Sequence, residues 1–195
     1  MTELKLVTQA LLENPLGGGR EWSLQGLGML RTYLTDDKSV RLHVWDSDYA
    51  AENVSEMHTH PWDMVSRVVA GELANYKYTR HISITEPPSY LQQAIHCGEG
   101  GGLIGEPEPV HLYGLPPVYI RKGQEYTQTY DEIHVSVPEN GTVTIVTRST
   151  PPGGNPDRAY VFWPIEQEWV SAEPRPATAK EIEDICERSL LRWFS

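Results

Sequence analysis

The stretch His58-Thr59-His60-Pro61-Trp62-Asp63-Met64-Val65-Ser66-Arg67-Val68-Val69-Ala70-Gly71 decides how this chain is read. On a strand, residues i and i+2 point to the same face. His58 and His60 then project two imidazoles side by side, and Val65, Val68 and Val69 mark the run that follows as core-forming. Two imidazoles turned into an apolar interior cost free energy unless something binds them. A divalent metal ion does so, because it takes neutral imidazole nitrogens from several directions. The bland alternative is a pair of exposed strand histidines with no ligand. His134 is the natural third ligand. In Ile133-His134-Val135-Ser136-Val137, alternation puts His134 and Ser136 on one face and three β-branched residues on the other.

The rest of the chain fits a β scaffold for such a site. Its 195 residues suit one domain. They include 16 Gly, 15 Pro, 10 Tyr and 6 Trp, a composition of turns and strands rather than of a helical bundle. Extended runs are expected at 26–34 and 40–45, forming a hairpin about Asp36–Ser39, and at 56–70 and 73–84. Further runs follow at 118–121, 125–129, 133–137, 142–148 and 160–163. Pro138-Glu139-Asn140-Gly141 predicts that 133–137 and 142–148 form a second hairpin. The count is eight to ten short strands, the number of a sandwich or barrel. A helix is expected at each end. Leu4, Val7, Leu11 and Leu12 have helical spacing, and so do Ile182, Ile185, Cys186, Ser189 and Trp193 behind a Thr178/Glu181 capping box. The expected division is 1–25 as helix and linker, 26–165 as a β-barrel, and 166–195 as tail and helix. Segment 86–117, with the run GEGGGLIG (98–105) and many prolines, reads as a loop or lid.

Charge and cysteine content exclude several classes. Acidic residues outnumber basic ones 27 to 16, a net charge of −11, which disfavours nucleic acid and anionic membranes as partners. Cys97 and Cys186 make no disulfide framework. No basic region precedes an apolar core at the N-terminus, and no apolar run reaches about 18 residues, so a cytoplasmic chain is expected. GEGGGLIG lacks the Lys-Ser/Thr of a phosphate loop.

The motifs resemble those of the cupin superfamily, G-x5-H-x-H-x3,4-E-x6-G and G-x5-P-x-G-x2-H-x3-N. His58, His60 and Gly71 match the first, and Gly123 and His134, eleven residues apart, match the second. HTHPWDMVSRVVAGEL (58–73) is also similar to a set of small bacterial cupins with an H-x-H-P-W-D-x-V-S signature. The chain departs from the pattern at Glu52, where the first glycine would stand, and at Met64, where the usual glutamate ligand would stand. Thr129, Asp131 and Pro138 replace the second motif's proline, glycine and asparagine.

The resemblance implies an all-β cupin barrel or double-stranded jelly roll holding one divalent transition metal through His58, His60 and His134. Three-histidine cupin sites are similar to those of Fe(II) thiol and β-diketone dioxygenases, so Fe(II) leads. The same ligands accept Zn(II), Ni(II) or Mn(II). Asp63 joins as a ligand if Pro61 creates a bulge, and Glu56 shares the histidine face. Ser66, Tyr76 and Tyr126 are the candidate catalytic hydroxyls, with Tyr78 a further cavity candidate, and Arg67, Arg80 and Arg148 are the nearby cations. The leading function is dioxygenase-type chemistry on a small polar molecule. A Lewis-acid isomerase, lyase or hydrolase and a non-catalytic binding module are the alternatives. A homodimer is expected from cupin habit.

Overall fold

Gly and Pro punctuation cuts the chain into short extended segments, and a computed structural model describes where residues 2–83, 85–97, 102–151, 157–171 and 173–193 go. Helix α1 (Thr2–Glu13) comes first. It is followed by β1 (Ser23–Gln25), β2 (Leu27–Tyr33), β3 (Val40–Ala50), β4 (Met57–His58), β5 (Asp63–Ala70), β6 (Glu72–His81) and β7 (Tyr90–His96). The chain continues through β8 (Gly102–Gly114), β9 (Val118–Arg121), β10 (Glu125–Gln128), β11 (Ile133–Pro138), β12 (Val143–Ser149), β13 (Arg158–Pro164), β14 (Arg175–Pro176) and α2 (Ala179–Trp193). The strands form two seven-stranded antiparallel sheets, ordered β10-β5-β12-β3-β2-β1-β14 and β11-β4-β13-β7-β8-β6-β9. This is the all-β, double-sheet architecture with a short helix at each end that the sequence predicts.

The first sheet has two unlike faces. Leu24, Leu30, Leu42, Val44, Val143 and Ile145 form a core with Leu11 and Leu12 of α1 and with Ile182, Ile185, Cys186 and Trp193 of α2. Each such side chain, fully buried, stabilises the fold by about 1.5–3 kcal/mol. Cys186 belongs to this core, and burial pushes its thiol up to about 12. The capping box forms as expected. The Glu181 N–H donates to Thr178 Oγ1 at 3.3 Å, and the Glu181 carboxylate accepts from the Thr178 N–H at 2.8 Å. The opposite face carries Met29, Arg31, Arg41, His43, Trp45, Thr144 and Val146 and looks toward the second sheet.

The second sheet closes on itself. β6 pairs with β8 along one edge and with β11 along the other, completing the ring β11-β4-β13-β7-β8-β6. Every strand of the ring contributes to one apolar cluster: Met57, Tyr76, Tyr78, Tyr90, Val110, Leu112, Ile133, Val135, Tyr160 and Phe162. Alternation sends the neighbouring residues of the same strands, among them His58 and His134, the other way, into the space between the sheets.

Four expectations are corrected. Segment 86–117 is not a loop or lid, because it holds β7, the thirteen-residue β8 and the start of the next connection. Its prolines mislead because Pro107 and Pro109 lie on a strand paired only with β7 over that stretch, and an edge tolerates a missing N–H. Segments 133–137 and 142–148 are not a hairpin: β11 pairs with β4 and β6, and β12 with β3 and β5. The turn crosses from one sheet to the other, its Gly141 N–H donating to Trp45 O at 2.7 Å and the Glu139 N–H to Glu72 O at 3.0 Å. The strands number fourteen among the described residues, since run 56–70 divides between the two sheets as β4 and β5, and β1, β7, β8 and β14 form outside the expected runs. The sheet also extends outside 26–165, through the pairing of β1 with β14. The expected roles of Ile84, 98–101 and 152–154 lie outside the described residues; Leu4 and Val7 fall within α1, as their spacing predicts, and their side chains lie outside what is described. Among the described residues no helix is long and apolar enough to cross a membrane.

Candidate metal centre

Thr59 sets up the two histidines of the first motif. Its N–H donates to Tyr160 O at 2.8 Å, and its Oγ1 accepts from the Tyr160 N–H at 2.9 Å. These bonds continue the β4–β13 pairing by one residue and hold His58 and His60 on one face. Pro61 has no N–H and ends the pairing. His134 stands directly opposite His58 in the β11–β4 register. The ring centroids lie 4.8 Å apart for His58 and His60, 4.6 Å for His58 and His134, and 5.0 Å for His60 and His134. One donor nitrogen from each ring lies within 4.8 Å of the other two.

The electrostatics suit ligation. Burial pushes all three imidazoles below their ordinary pKa, and the neighbouring rings push His60 and His134 further down. All three are thus neutral at pH 7, the form that binds a metal. Glu56 O lies 2.7 Å from His58 Nδ1, so that nitrogen carries the proton and Nε2 is left as the donor. His134 Nδ1 is buried without a hydrogen-bond partner. A buried, unpaired nitrogen on one of three converging neutral imidazoles is what a cation would satisfy, so the residues present fit a divalent transition metal.

The histidines sit in a chamber of about 190 Å³ between the sheets. Met29, Trp45, Met64 and Val146 supply apolar wall, while Glu56, Tyr126 and Ser136 supply polar groups. Burial pushes the Tyr126 phenol up, against the opposing pull of the Ser66 and Ser136 hydroxyls. It remains an O–H donor at neutral pH. Ser66, directly across from Tyr126, is fully buried. Glu56 lines the chamber, and burial pushes its carboxyl up.

Other sequence candidates lie elsewhere. Asp63 is outside the histidine group, and its Oδ1 accepts from the Tyr130 N–H at 2.9 Å. Tyr76 pairs with Val135 and packs inside the apolar ring, on the face opposite His134, as does Tyr78 beside Ile133. Arg67 pairs with Glu125 at 3.4 Å, and Arg80 Nε donates to Gln92 Oε1 at 3.1 Å. Arg148 stacks on Trp62, with 4.6 Å from Cζ to the ring centroid. Sequence reading missed Arg31, Arg41 and His43, all of which line the chamber. The signal was present: Arg41, His43 and Trp45 alternate with Leu42 and Val44 along β3, so one face of that strand is polar.

Comparison of the chain with protein-family models and with curated proteins finds no match.

Proposed function

We propose that the chain is a cupin-type metalloprotein in which His58, His60 and His134 hold one divalent transition metal, and that it acts on a small polar organic molecule, with iron-dependent dioxygenation the leading reaction. The observation that carries this reading is the convergence of three neutral imidazoles, their donor atoms within 4.8 Å, in a chamber between the sheets. A three-histidine ion keeps coordination positions open and supplies a site where substrate is bound and polarised. The chain's own residues do the rest. The Glu56 carbonyl fixes the His58 ring. The Tyr126 O–H is placed to donate a hydrogen bond to a molecule in the chamber, and Ser136 offers a second hydroxyl on the same face as His134. Met29, Trp45, Met64 and Val146 exclude water and strengthen those polar contacts.

Elemental analysis of protein purified without added metal tests the reading. The wild type should carry close to one transition-metal ion per chain, and His134→Ala should lose most of it while keeping a folded β spectrum. Metal content unchanged in His134→Ala would remove His134 from the site. Oxygen uptake on a panel of small substrates then separates dioxygenation from Lewis-acid chemistry, which the same three ligands also suit when the ion is zinc.

A further inference from the structure

The chamber opens outward into a larger cavity of about 410 Å³, and Arg31, Arg41, His58 and Trp62 line both. Arg41 is only 8% exposed. In a chain with 27 carboxylates, a buried guanidinium would ordinarily have one as a partner. None of the ion pairs among the described residues includes Arg31, Arg41 or Arg148. Glu173 lines the outer cavity and Glu56 the inner one, yet neither is paired with these guanidiniums. Arg41 Nε is buried with no hydrogen-bond partner, and Arg31 Nε donates only to Ser23 Oγ at 3.3 Å. Arg148 is turned aside, donating to Lys38 O.

Aromatic rings hold the two guanidiniums in place. Arg31 and Arg41 lie 5.8 and 5.3 Å from the Tyr33 ring centroid, and Arg41 lies 4.7 Å from that of Trp62. Arg41 also has a side-chain hydrogen bond with Tyr33, and stacking on ring faces leaves the rest of its N–H fork available to a ligand. Crowding of like charge is evident in the neighbours. Burial first, then Arg31 and Arg148, pull Arg41 down to about 10, which still leaves it charged at pH 7. Burial would raise the Tyr33 phenol, but Arg41, Arg31, Arg148 and Lys38 outweigh it and lower it.

From this uncompensated pair we infer that Arg31 and Arg41 form the binding site for the carboxylate of a small organic acid, whose other end reaches the three histidines. The inference rests on the proposed metal centre for its far end only. Trp62 joins the two sites: it stacks on His60 at 5.5 Å and 22°, and Arg41 lies on Trp62. Trp62 therefore touches both the guanidinium and one of the three imidazoles. The inner chamber is below the ~300–1,000 Å³ of drug-sized pockets, which limits the acid to a few heavy atoms. A planar carboxylate matches a guanidinium fork through two parallel hydrogen bonds.

The test is calorimetric titration of the full chain, stripped of metal with chelator, with glycolate, with the neutral glycolamide and with inorganic phosphate. Glycolate should bind, and glycolamide should bind at least tenfold more weakly. Arg31→Met and Arg41→Met should each weaken glycolate at least tenfold, whereas Arg67→Met, whose arginine pairs with Glu125, should leave it unchanged. Met replaces an unpaired charge with a similar volume of apolar chain, so both variants should fold, and circular dichroism checks this. No glycolate binding by the wild type, or binding by the two variants as tight as the wild type's, overturns the site. Tighter binding of phosphate than of glycolate overturns the carboxylate assignment in favour of a phosphoryl group. Metal content measured in parallel separates the two readings. A metal-loaded wild type that ignores glycolate loses only the carboxylate site, and a glycolate-binding protein that never holds metal loses only the metal centre.

Discussion

Strand β11 has two faces that meet opposite environments. Ile133 and Val135 enter the closed ring and pack against Met57, Phe162 and four tyrosines, while His134 and Ser136 enter the chamber between the sheets. The ring interior is an ordinary core, whose side chains gain by leaving water. The chamber is costly to fold around: it gathers buried imidazoles, hydroxyls and guanidiniums, with His43 Nε2, His134 Nδ1 and Arg41 Nε unpaired. One interior holds the strands together, and the other is kept polar at a cost in stability that the first offsets.

The sharpest way to break this contrast is to hollow the ring. Phe162 is 1% exposed, and Phe162→Ala should cost about 3–5 kcal/mol in urea unfolding. A loss below about 1 kcal/mol would mean that the ring interior is not a packed core. The next largest effect should come from filling the chamber. A divalent metal at a hundred times its Kd should stabilise the wild type by about 2.7 kcal/mol and His134→Ala hardly at all, read as a thermal shift. Equal shifts in the two proteins would place the bound ion elsewhere. Smaller still is the effect of removing a chamber group that has no partner. His43→Leu on metal-free protein should be neutral or stabilising by up to about 1 kcal/mol, since it deletes an unsatisfied buried nitrogen. A loss above about 2 kcal/mol would show that His43 supports the fold. The smallest effect lies outside both interiors, at the cap of α2. The Arg175 guanidinium and the Thr178 backbone N–H hold the Glu181 carboxyl down to about 2, from an ordinary 4.5. Its contribution is therefore present above about pH 4.5 and is lost as pH falls toward 2, and Arg175→Ala, which removes the larger of the two causes, should reduce that pH dependence of unfolding.

The sequence made the three histidines, the two helices and the β class readable because each rests on a short-range pattern. HTH is a period-two pair, His134 stands alone among β-branched neighbours, and Thr178/Glu181 is a cap. What stayed hidden depends on long-range pairing. Nothing local in Pro138–Gly141 says that its two strands belong to different sheets; the bonds to Trp45 and Glu72 decide that. Glu106-Pro107-Glu108-Pro109 reads as a loop because proline counts against a strand, and only an open edge makes it acceptable. Tyr76 and Tyr126 are alike in sequence, but β6 turns Tyr76 into the ring and β10 turns Tyr126 into the chamber. Arg31 and Arg41 gain meaning only once both are seen to lie outside every ion pair among the described residues.

The ring has one narrow seam. β11 meets β6 over six residue pairs but meets β4 at a single pair, His134 opposite His58. The apolar barrel is thus laced shut at two of the residues that face the chamber, and whatever tightens those imidazoles also governs how easily the barrel comes ajar.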